Sequence, residues 1–439
     1  MSSDQHLFKL FGRNFLLDVP TNSLLEIDEE ARLALHGSEA APAEVAEEIA
    51  ALRQRGLLLP DSRRAVPERA GAAGWLKALC LHVAHDCNLR CTYCFAGSGS
   101  FGGTRGIMPA EIGQAAIDLL LARSGPVRQL EVDFFGGEPL LAMESVRRVV
   151  AYGRERAAAL GKRINFTLTT NAVALSEEKL AFLNENGLSL VLSLDGRPEV
   201  HNRFRPAANG RGSYADAVAG ITKVVASRAG ANYYVRGTFT RANLDFVADV
   251  RHLLALGFER LSLEPVVALP GEDYALREED LPLVEAEYER LAGLYLERAR
   301  AGRPFTFFHF AVDLDQGPCL GKRLSGCGAG HRYLAVTPGG ELYPCHQFVG
   351  RPGYLLGDVA RGITRADLSE TFAGADIYHK KGCLDCWARY FCGGGCHANA
   401  DLHHGTIFTP DESGCRLLRK RLECALGIQA VLARGLEAS

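Results

Sequence analysis

The chain has 439 residues, 47% apolar and 23% charged, a composition that excludes extensive disorder. That length exceeds what one hydrophobic core usually serves, so two or three domains are expected. With 49 basic and 52 acidic side chains the net charge is −3, which excludes a general pull toward nucleic acid or an anionic membrane.

Residues 1–20 mix charged and apolar side chains without the basic-then-apolar order of a secretory signal. No apolar run reaches the length of about 18 residues that a membrane helix needs. Short apolar runs at Phe8–Phe11, Phe15–Val19 and Leu24–Ile27, separated by Gly12-Arg13-Asn14 and Pro20-Thr21-Asn22-Ser23, predict three strands. Helices are expected at Glu29–Leu35 and Pro42–Arg55, the second from Val45, Ile49 and Leu52. Pro60–Gly74, rich in Arg, Pro, Gly and Ala, reads as a linker.

A regular alternation follows. Strands are predicted at Leu79–Ala84, Leu130–Phe135, Ile164–Thr169, Ser189–Leu194, Tyr233–Thr238 and Leu261–Val267. Helices are predicted at Pro109–Arg123, Met143–Leu160, Ser176–Asn186, Tyr214–Ser227, Asn243–Leu256 and Asp280–Arg300. Six strand–helix units imply a parallel sheet with helices outside it. They are too few for an eight-fold barrel, so the expectation is an α/β fold built on a partial, open (β/α)6 barrel. Its chemistry should sit at the C-terminal strand ends. Residues 310–439 are rich in Gly and Cys, with one long helical pattern at Cys415–Leu432. Such a segment is expected to need metal staples.

Thirteen cysteines occur, strongly clustered. An odd, clustered set in a chain without a signal points to metal in a reducing cytoplasm. Cys87, Cys91 and Cys94 form CxxxCxxC just after the first strand of the alternation. Three thiolates on one loop can hold three irons of a 4Fe–4S cube and leave the fourth open to a small molecule. The other reading is zinc, completed by His82 or His85.

The CxxxCxxC spacing, with Tyr93 before the last Cys, resembles the radical SAM enzymes. Gly136-Gly137-Glu138-Pro139 at the second strand end resembles their SAM-binding GGEP motif. Glycines let backbone approach a ligand, and Glu138 can accept bonds from the methionine ammonium. The resemblance implies that Tyr93 contacts adenine, Ser193 in Ser193-Leu194-Asp195-Gly196 contacts the ribose, and Arg205 holds the SAM carboxylate. Asn171 and Glu264 also fall at strand ends, as site residues or ordinary terminal polar groups.

Cys383-x2-Cys386-x5-Cys392-x3-Cys396, with Cys415 and the upstream Cys319, Cys327 and Cys345, resembles the SPASM domain. The resemblance implies two auxiliary 4Fe–4S clusters, for three clusters in all. One is held by Cys383, Cys386, Cys392 and Cys415. The other is held by Cys327, Cys345 and Cys396, with either Cys319 as its fourth ligand or an open iron that could take a substrate thiolate. Cys80 and Cys424 are left as buried apolar residues. Sulfatase-maturating relatives carry an Asp after the equivalent of Cys345; here His346 stands there.

The stretches Leu79–Cys87, Tyr234–Thr240 and Tyr343–Phe348 are similar to maturases of SCIFF peptides, which form thioether cross-links. This resemblance implies three segments. Residues 1–75 would hold a winged-helix-like recognition module and linker, binding a leader peptide by strand addition. Residues 76–309 would be the partial barrel and 310–439 the SPASM domain. The implied partners are a Cys-rich precursor peptide and a low-potential electron donor of the flavodoxin or ferredoxin type, with no nucleic acid and no membrane. Other radical SAM peptide modifications (carbon–carbon cross-linking or sulfatase-type side-chain oxidation) and a non-catalytic zinc adaptor are the alternatives.

Overall fold

A computed structural model describes residues 4–35, 42–59, 74–314 and 323–437. They fall into two compact units, each discontinuous in sequence. One takes the described residues between Gly71 and Arg277 and between Cys327 and Gly374; the other takes the rest.

The first unit is built on parallel strands. In spatial order they are β9 (Arg260–Pro265), β8 (Tyr233–Phe239), β7 (Ser189–Ser193), β6 (Arg163–Thr170), β5 (Gln129–Gly136) and β4 (Ala78–Ala84). Each pairs in parallel with its neighbour. Helices α3 (Ala110–Arg123), α4 (Met143–Ala159), α5 (Glu177–Glu185), α7 (Tyr214–Ser227) and α8 (Phe246–Ala255) alternate with them. Every predicted strand and helix of this stretch is present, with ends moved by up to three residues. A seven-residue helix, α6 (Pro198–Phe204), was not expected. Seven residues are too few to print a helical period, and only Pro198 at its first turn hints at it.

Side-chain alternation decides which face of the sheet does what. Tyr233, Val235 and Phe239 of β8 are buried, and Phe239 stacks on Phe246 of α8 with ring centroids 4.4 Å apart. Phe134 and Phe166 likewise stack at 5.7 Å, and an added Cβ on Gly153 of α4 would lie 3.0 Å from Phe166. These side chains form the helix-covered face. Val146, Val149 and Val150 of α4 are each nearly fully buried, and burying such a side chain is worth roughly 1.5–3 kcal/mol. The opposite face is polar toward the strand ends, with Asp133, Thr167, Ser193, Arg236 and Ser262 at alternate positions. Strand β4 is apolar on one face and carries Cys80 and His82 on the other, both buried.

Beyond β4 the sheet continues in a way the sequence did not announce. Strand β10 (Tyr333–Val336) runs parallel to β4, followed by the antiparallel β11 (Glu341–Tyr343), β12 (Gly357–Asp358) and β13 (Gly362–Ile363). Strands of two to four residues leave no periodicity to read. They exist because β4 offers an unpaired edge.

The second unit begins with β1 (Gln5–Leu10), β2 (Arg13–Asp18) and β3 (Ser23–Ile27), an antiparallel sheet in chain order. Leu10 pairs with Arg13, so the hairpin turn is Phe11-Gly12, both at positive φ (53° and 75°). That is the turn handedness which matches strand twist. Helices α1 (Glu29–Leu35) and α2 (Ala43–Gln54) follow, and Val45 and Ile49 close over Leu16 and Leu58. The helix α9 (Leu281–Arg300) and the long helix Glu412–Glu437 also belong here. Arg416 grips Glu285 through two bonds of 2.6 and 2.7 Å, and Lys420 reaches Glu289 at 2.5 Å. The predicted Cys415–Leu432 helix is therefore longer than expected. Its buried Leu426 and Ile428 give the C-terminal segment more apolar core than its Gly and Cys content suggested.

The sheet of this unit is tied to the segment that follows Cys386. The Asp4 carboxylate pairs with the Arg389 guanidinium, both nearly buried, and His6 stacks on Trp387 at 3.8 Å. Among the described residues no helix is long and apolar enough to cross a membrane. Removing one partner of a buried ion pair strands the other, at a cost of about 3–5 kcal/mol. Arg389→Ala should therefore lower the thermal midpoint of the apo-protein well below that of Arg361→Ala, whose pair with Asp358 is exposed on the Arg side. Differential scanning calorimetry reads the difference.

Candidate functional site

The loop after β4 carries Cys87, Cys91 and Cys94, all partly buried. Backbone bonds fix it from outside. Arg90 N donates to Pro206 O and Thr92 N to Phe204 O, both at 2.8 Å, and Ala208 N donates to Asn88 O at 2.9 Å. Inside, the Arg90 guanidinium closes on the carbonyls of Cys87 and Leu89 at 2.5 and 2.8 Å. These bonds run through the backbone and Arg90 and leave the thiols uninvolved in them.

Its seat is the end of β5. Gly137 N donates to Ala84 O at 2.7 Å and Glu138 N to Asp86 O at 2.9 Å. Cβ atoms at Gly136 and Gly137 would stand 2.3 and 2.1 Å from those same two carbonyl oxygens. Gly136 also has φ 126°, which L side chains rarely adopt. The absent Cβ atoms leave room for the start of the Cys loop. The glycines serve that packing.

Glu138 is 1% exposed. Its Oε1 accepts from Leu140 N at 2.9 Å and Thr170 Oγ1 at 2.7 Å, and its Oε2 accepts from Asn171 N at 2.9 Å. Burial raises its pKa, and these three donors oppose the rise. The carboxylate thus joins the ends of β5 and β6, with one acceptor position left on Oε2. Asn171 turns its side chain to Asn88 Oδ1, at 2.8 Å. Ser193 is the last residue of β7, and Glu264 lies on β9 opposite Thr238.

Asp195 was quoted only as part of a motif, yet it is a hub. It is fully buried. Its Oδ2 accepts from the Tyr93 hydroxyl and from Arg205 Nε at 3.0 Å, and its Oδ1 accepts from Thr238 N at 2.9 Å. Burial alone would raise its pKa, but the Arg205 charge and hydrogen bond hold it below the usual carboxylate range. The Arg205 guanidinium also lies over the Tyr93 ring, 5.4 Å from the centroid. His201 accepts from Asp195 N at 3.3 Å and meets Ser213 Oγ at 3.0 Å. Burial pushes His201 down to about 4, so it is neutral. Arg205, expected to meet the SAM carboxylate, is thus already committed to an internal carboxylate. Neither His201 nor Ser213 stands in any recognisable motif, and only contact in three dimensions reveals them.

His82 and His85 hydrogen-bond each other, with 3.2 Å between Nδ1 and Nε2. Burial keeps both neutral, His85 falling to about 4. They face Phe101 and Phe135. Among the described residues no three His, Cys, Asp or Glu side chains surround one ion. Three thiolates on one loop suit a cube, because each takes a different iron. The thiols lie near enough to act on one another. Burial pushes Cys87 up to about 12 and Cys91 up to about 11, with the neighbouring thiols adding to both. Donors suited to thiolates surround them: Leu89 N lies 3.4 Å from Cys87 Sγ and Asn171 Nδ2 lies 3.9 Å from it. The loop fits a cluster.

The second unit gathers Cys383, Cys386, Cys392 and Cys415. Burial raises Cys415 to about 12 and Cys383 to about 11, and the other thiols of the four contribute to each. The Gly394 and Gly395 amides donate to Cys392. Cys327 and Cys345 belong to the first unit and Cys396 to the second, while Cys319 lies outside the described residues. Cys80 and Cys424 are fully buried.

Residues 81–236 match the model of the Radical SAM superfamily. This stretch is a radical SAM domain. The family uses SAM and a 4Fe–4S cluster. A serine-type anaerobic sulfatase-maturating enzyme of Klebsiella aerogenes is 25% identical over 80% of this chain and 86% of its own. A PqqA peptide cyclase of Rhodopseudomonas palustris is 28% identical over 74% and 82%. Two peptide-bound structures share the fold. Native anSMEcpe with AdoMet and the Cp18Cys peptide has a TM-score of 0.67 at 21% identity, covering 82% of this chain and 99% of its own. Streptococcus suis SuiB with precursor peptide SuiA has a TM-score of 0.53 at 16% identity, covering 94% and 99%.

Two outcomes follow. Gly137→Ala should unseat the loop and cost the radical SAM domain its cluster, while Gly106→Ala, with nothing within 4 Å of the added Cβ, should not. Iron and sulfide per chain after anaerobic reconstitution separate the two. Because the thiols hold their protons, iron must displace them, so loading should rise steadily as the buffer goes from about pH 6.5 to 8.5. A flat profile would contradict the raised thiols.

Proposed function

We propose that this chain is a radical SAM peptide maturase. It installs thioether bonds, Cys sulfur to carbon, in a ribosomally made Cys-rich precursor peptide. The observation that carries the reading is a loop of three partly buried thiols, seated by β5 and held by backbone bonds, inside a radical SAM domain. On this reading Cys87, Cys91 and Cys94 hold a 4Fe–4S cluster with one open iron. Tyr93, Gly136, Gly137, Glu138, Ser193 and Arg205 are assigned to the SAM site. Bound there, cluster and SAM supply one electron and a 5′-deoxyadenosyl radical that takes a hydrogen atom from a peptide carbon.

The chain's own work is to place and shield the reacting groups. Asp195 fixes Arg205 and Tyr93 beside Cys91. The Leu89 and Asn171 amides favour a thiolate at Cys87. Phe95, Phe135 and His346 stand together as an aromatic wall, with His346 5.0 and 5.6 Å from the two rings. In the net reaction a peptide C–H would give its hydrogen atom to the 5′-deoxyadenosyl radical, which leaves as 5′-deoxyadenosine, a peptide thiol would lose its proton, and the C–S bond would form. One electron is left for an acceptor. That role is assigned to auxiliary clusters held by Cys383, Cys386, Cys392 and Cys415 and by Cys319, Cys327, Cys345 and Cys396. A flavodoxin- or ferredoxin-type protein supplies the initiating electron, in the cytoplasm.

Residues 1–75 are assigned to leader recognition, a peptide strand adding to an edge of the β1–β3 sheet. The SuiB likeness supports this. The unmatched 6% of this chain, about 26 residues, is shorter than Gln5–Gln54, so the likeness reaches into the module. The barrel is assigned to 76–309 and the SPASM domain to 310–439. Side-chain oxidation is the second reading, favoured by the sulfatase-maturating relatives. His346, neutral and 3.3 Å from the Tyr333 hydroxyl, stands where those relatives are expected to carry an acid.

Alanine at Cys87, Cys91 or Cys94 should abolish 5′-deoxyadenosine formation. Cys383→Ala should spare it more than product. Mass spectrometry of a Cys-rich peptide co-expressed anaerobically should find paired hydrogens lost and the same Cys residues resistant to alkylation. Lost hydrogens with every Cys alkylated would move the bond to carbon or oxygen.

A further inference from the structure

We propose that Arg236 is a carboxylate-binding subsite on the polar inner face of the sheet; this rests on the peptide-maturase reading above. Arg236 lies in the middle of β8, on the face opposite the buried Val235 and Phe239. In register its neighbours are Ser193 of β7 on one side and Ser262 of β9 on the other. A guanidinium between two hydroxyl-bearing side chains at one level of a sheet is a donor set for a planar, bidentate anion.

The cation is exposed, and among the described residues it makes no ion pair. The inner face carries two other strand cations, Arg163 and Arg260. Each opens its strand at the N-terminal end, away from the Cys loop, and Arg260 lies over the Tyr234 ring at 5.1 Å. The guanidiniums near the loop have partners: Arg90 bonds the Cys87 and Leu89 carbonyls, Arg105 pairs with Asp86, and Arg205 pairs with Asp195. Arg236 is therefore the uncommitted cation toward the active end of the sheet. Its charge reaches His346, which it and burial keep neutral. His346 in turn packs on Phe135, next to the cluster of Cys94, Ala96 and Phe101. A bound carboxylate on Arg236 would thus lie on the same face as the thiols of the radical SAM loop.

Two molecules bring a carboxylate to that face: the peptide, through an Asp, Glu or terminal carboxyl, and SAM, through its methionine end. The test uses the iron-loaded full chain and reads binding without turnover. The probes are Ac-Gly-Asp-Cys-NH2 against Ac-Gly-Asn-Cys-NH2, and SAM against decarboxylated SAM, each by equilibrium dialysis. Wild type should favour the carboxylate member of one pair by tenfold or more. Arg236→Gln should erase that preference, and Arg236→Lys, which keeps charge without the fork, should keep part of it. Loss within the peptide pair assigns the subsite to peptide, and loss within the SAM pair assigns it to SAM. Both preferences intact in Arg236→Gln, or neither present in wild type, would overturn the proposal. SAM cleavage by the wild-type chain is followed in parallel, so failure of the enzyme reading is seen separately.

Discussion

The Cys87–Cys94 loop can lie where it does only because β5 ends without side chains. The carbonyls of Ala84 and Asp86 occupy the two places where Cβ atoms of Gly136 and Gly137 would be. Everything nearer the chemistry is referred to that contact. The amides of Gly137 and Glu138 then pair with the same carbonyls, so a steric vacancy becomes a hydrogen-bonded seat. Glu138 passes the constraint to β6 through Thr170 and Asn171, and Asn171 returns it to the loop through Asn88. The result is a closed ring of contacts around Cys87.

A second buried carboxylate does the same on the far side. Asp195 holds Tyr93, Arg205 and the β8 backbone from one fully buried position. An unpaired carboxylate there would be expensive, and the Arg205 cation neutralises it through Nε. This division of labour separates the two arginines. Arg205 organises the loop, and Arg236 is left to meet what arrives.

Much of this was legible in the sequence. The alternation of apolar runs and helical periods located six parallel strands, because strands buried under helices must repeat their apolar pattern. The Cys spacing located the loop. Other parts were not legible, for physical reasons. Strands β10–β13 are too short to carry a pattern and depend on the free edge of β4. GGEP was readable as a candidate site, but not the packing of its glycines, since the carbonyls they admit come from residues about fifty positions earlier. Asp195, His201 and Ser213 form a network with no characteristic spacing. The polarity of the inner strand face, in contrast, was present in the alternation of β8 from the start.

The Asp4–Arg389 pair has a consequence for the order in which the molecule is completed. The chain leaves the ribosome from its N-terminal end, so β1–β3 emerge hundreds of residues before Arg389, Trp387 and the helix Glu412–Glu437 that pack against them. Until then Asp4 and His6 face water, and the small sheet lacks part of its support. The segment that finishes it also carries Cys383, Cys386, Cys392 and Cys415. Completion of the N-terminal sheet therefore waits on that segment and shares its last step with assembly of the cysteine set.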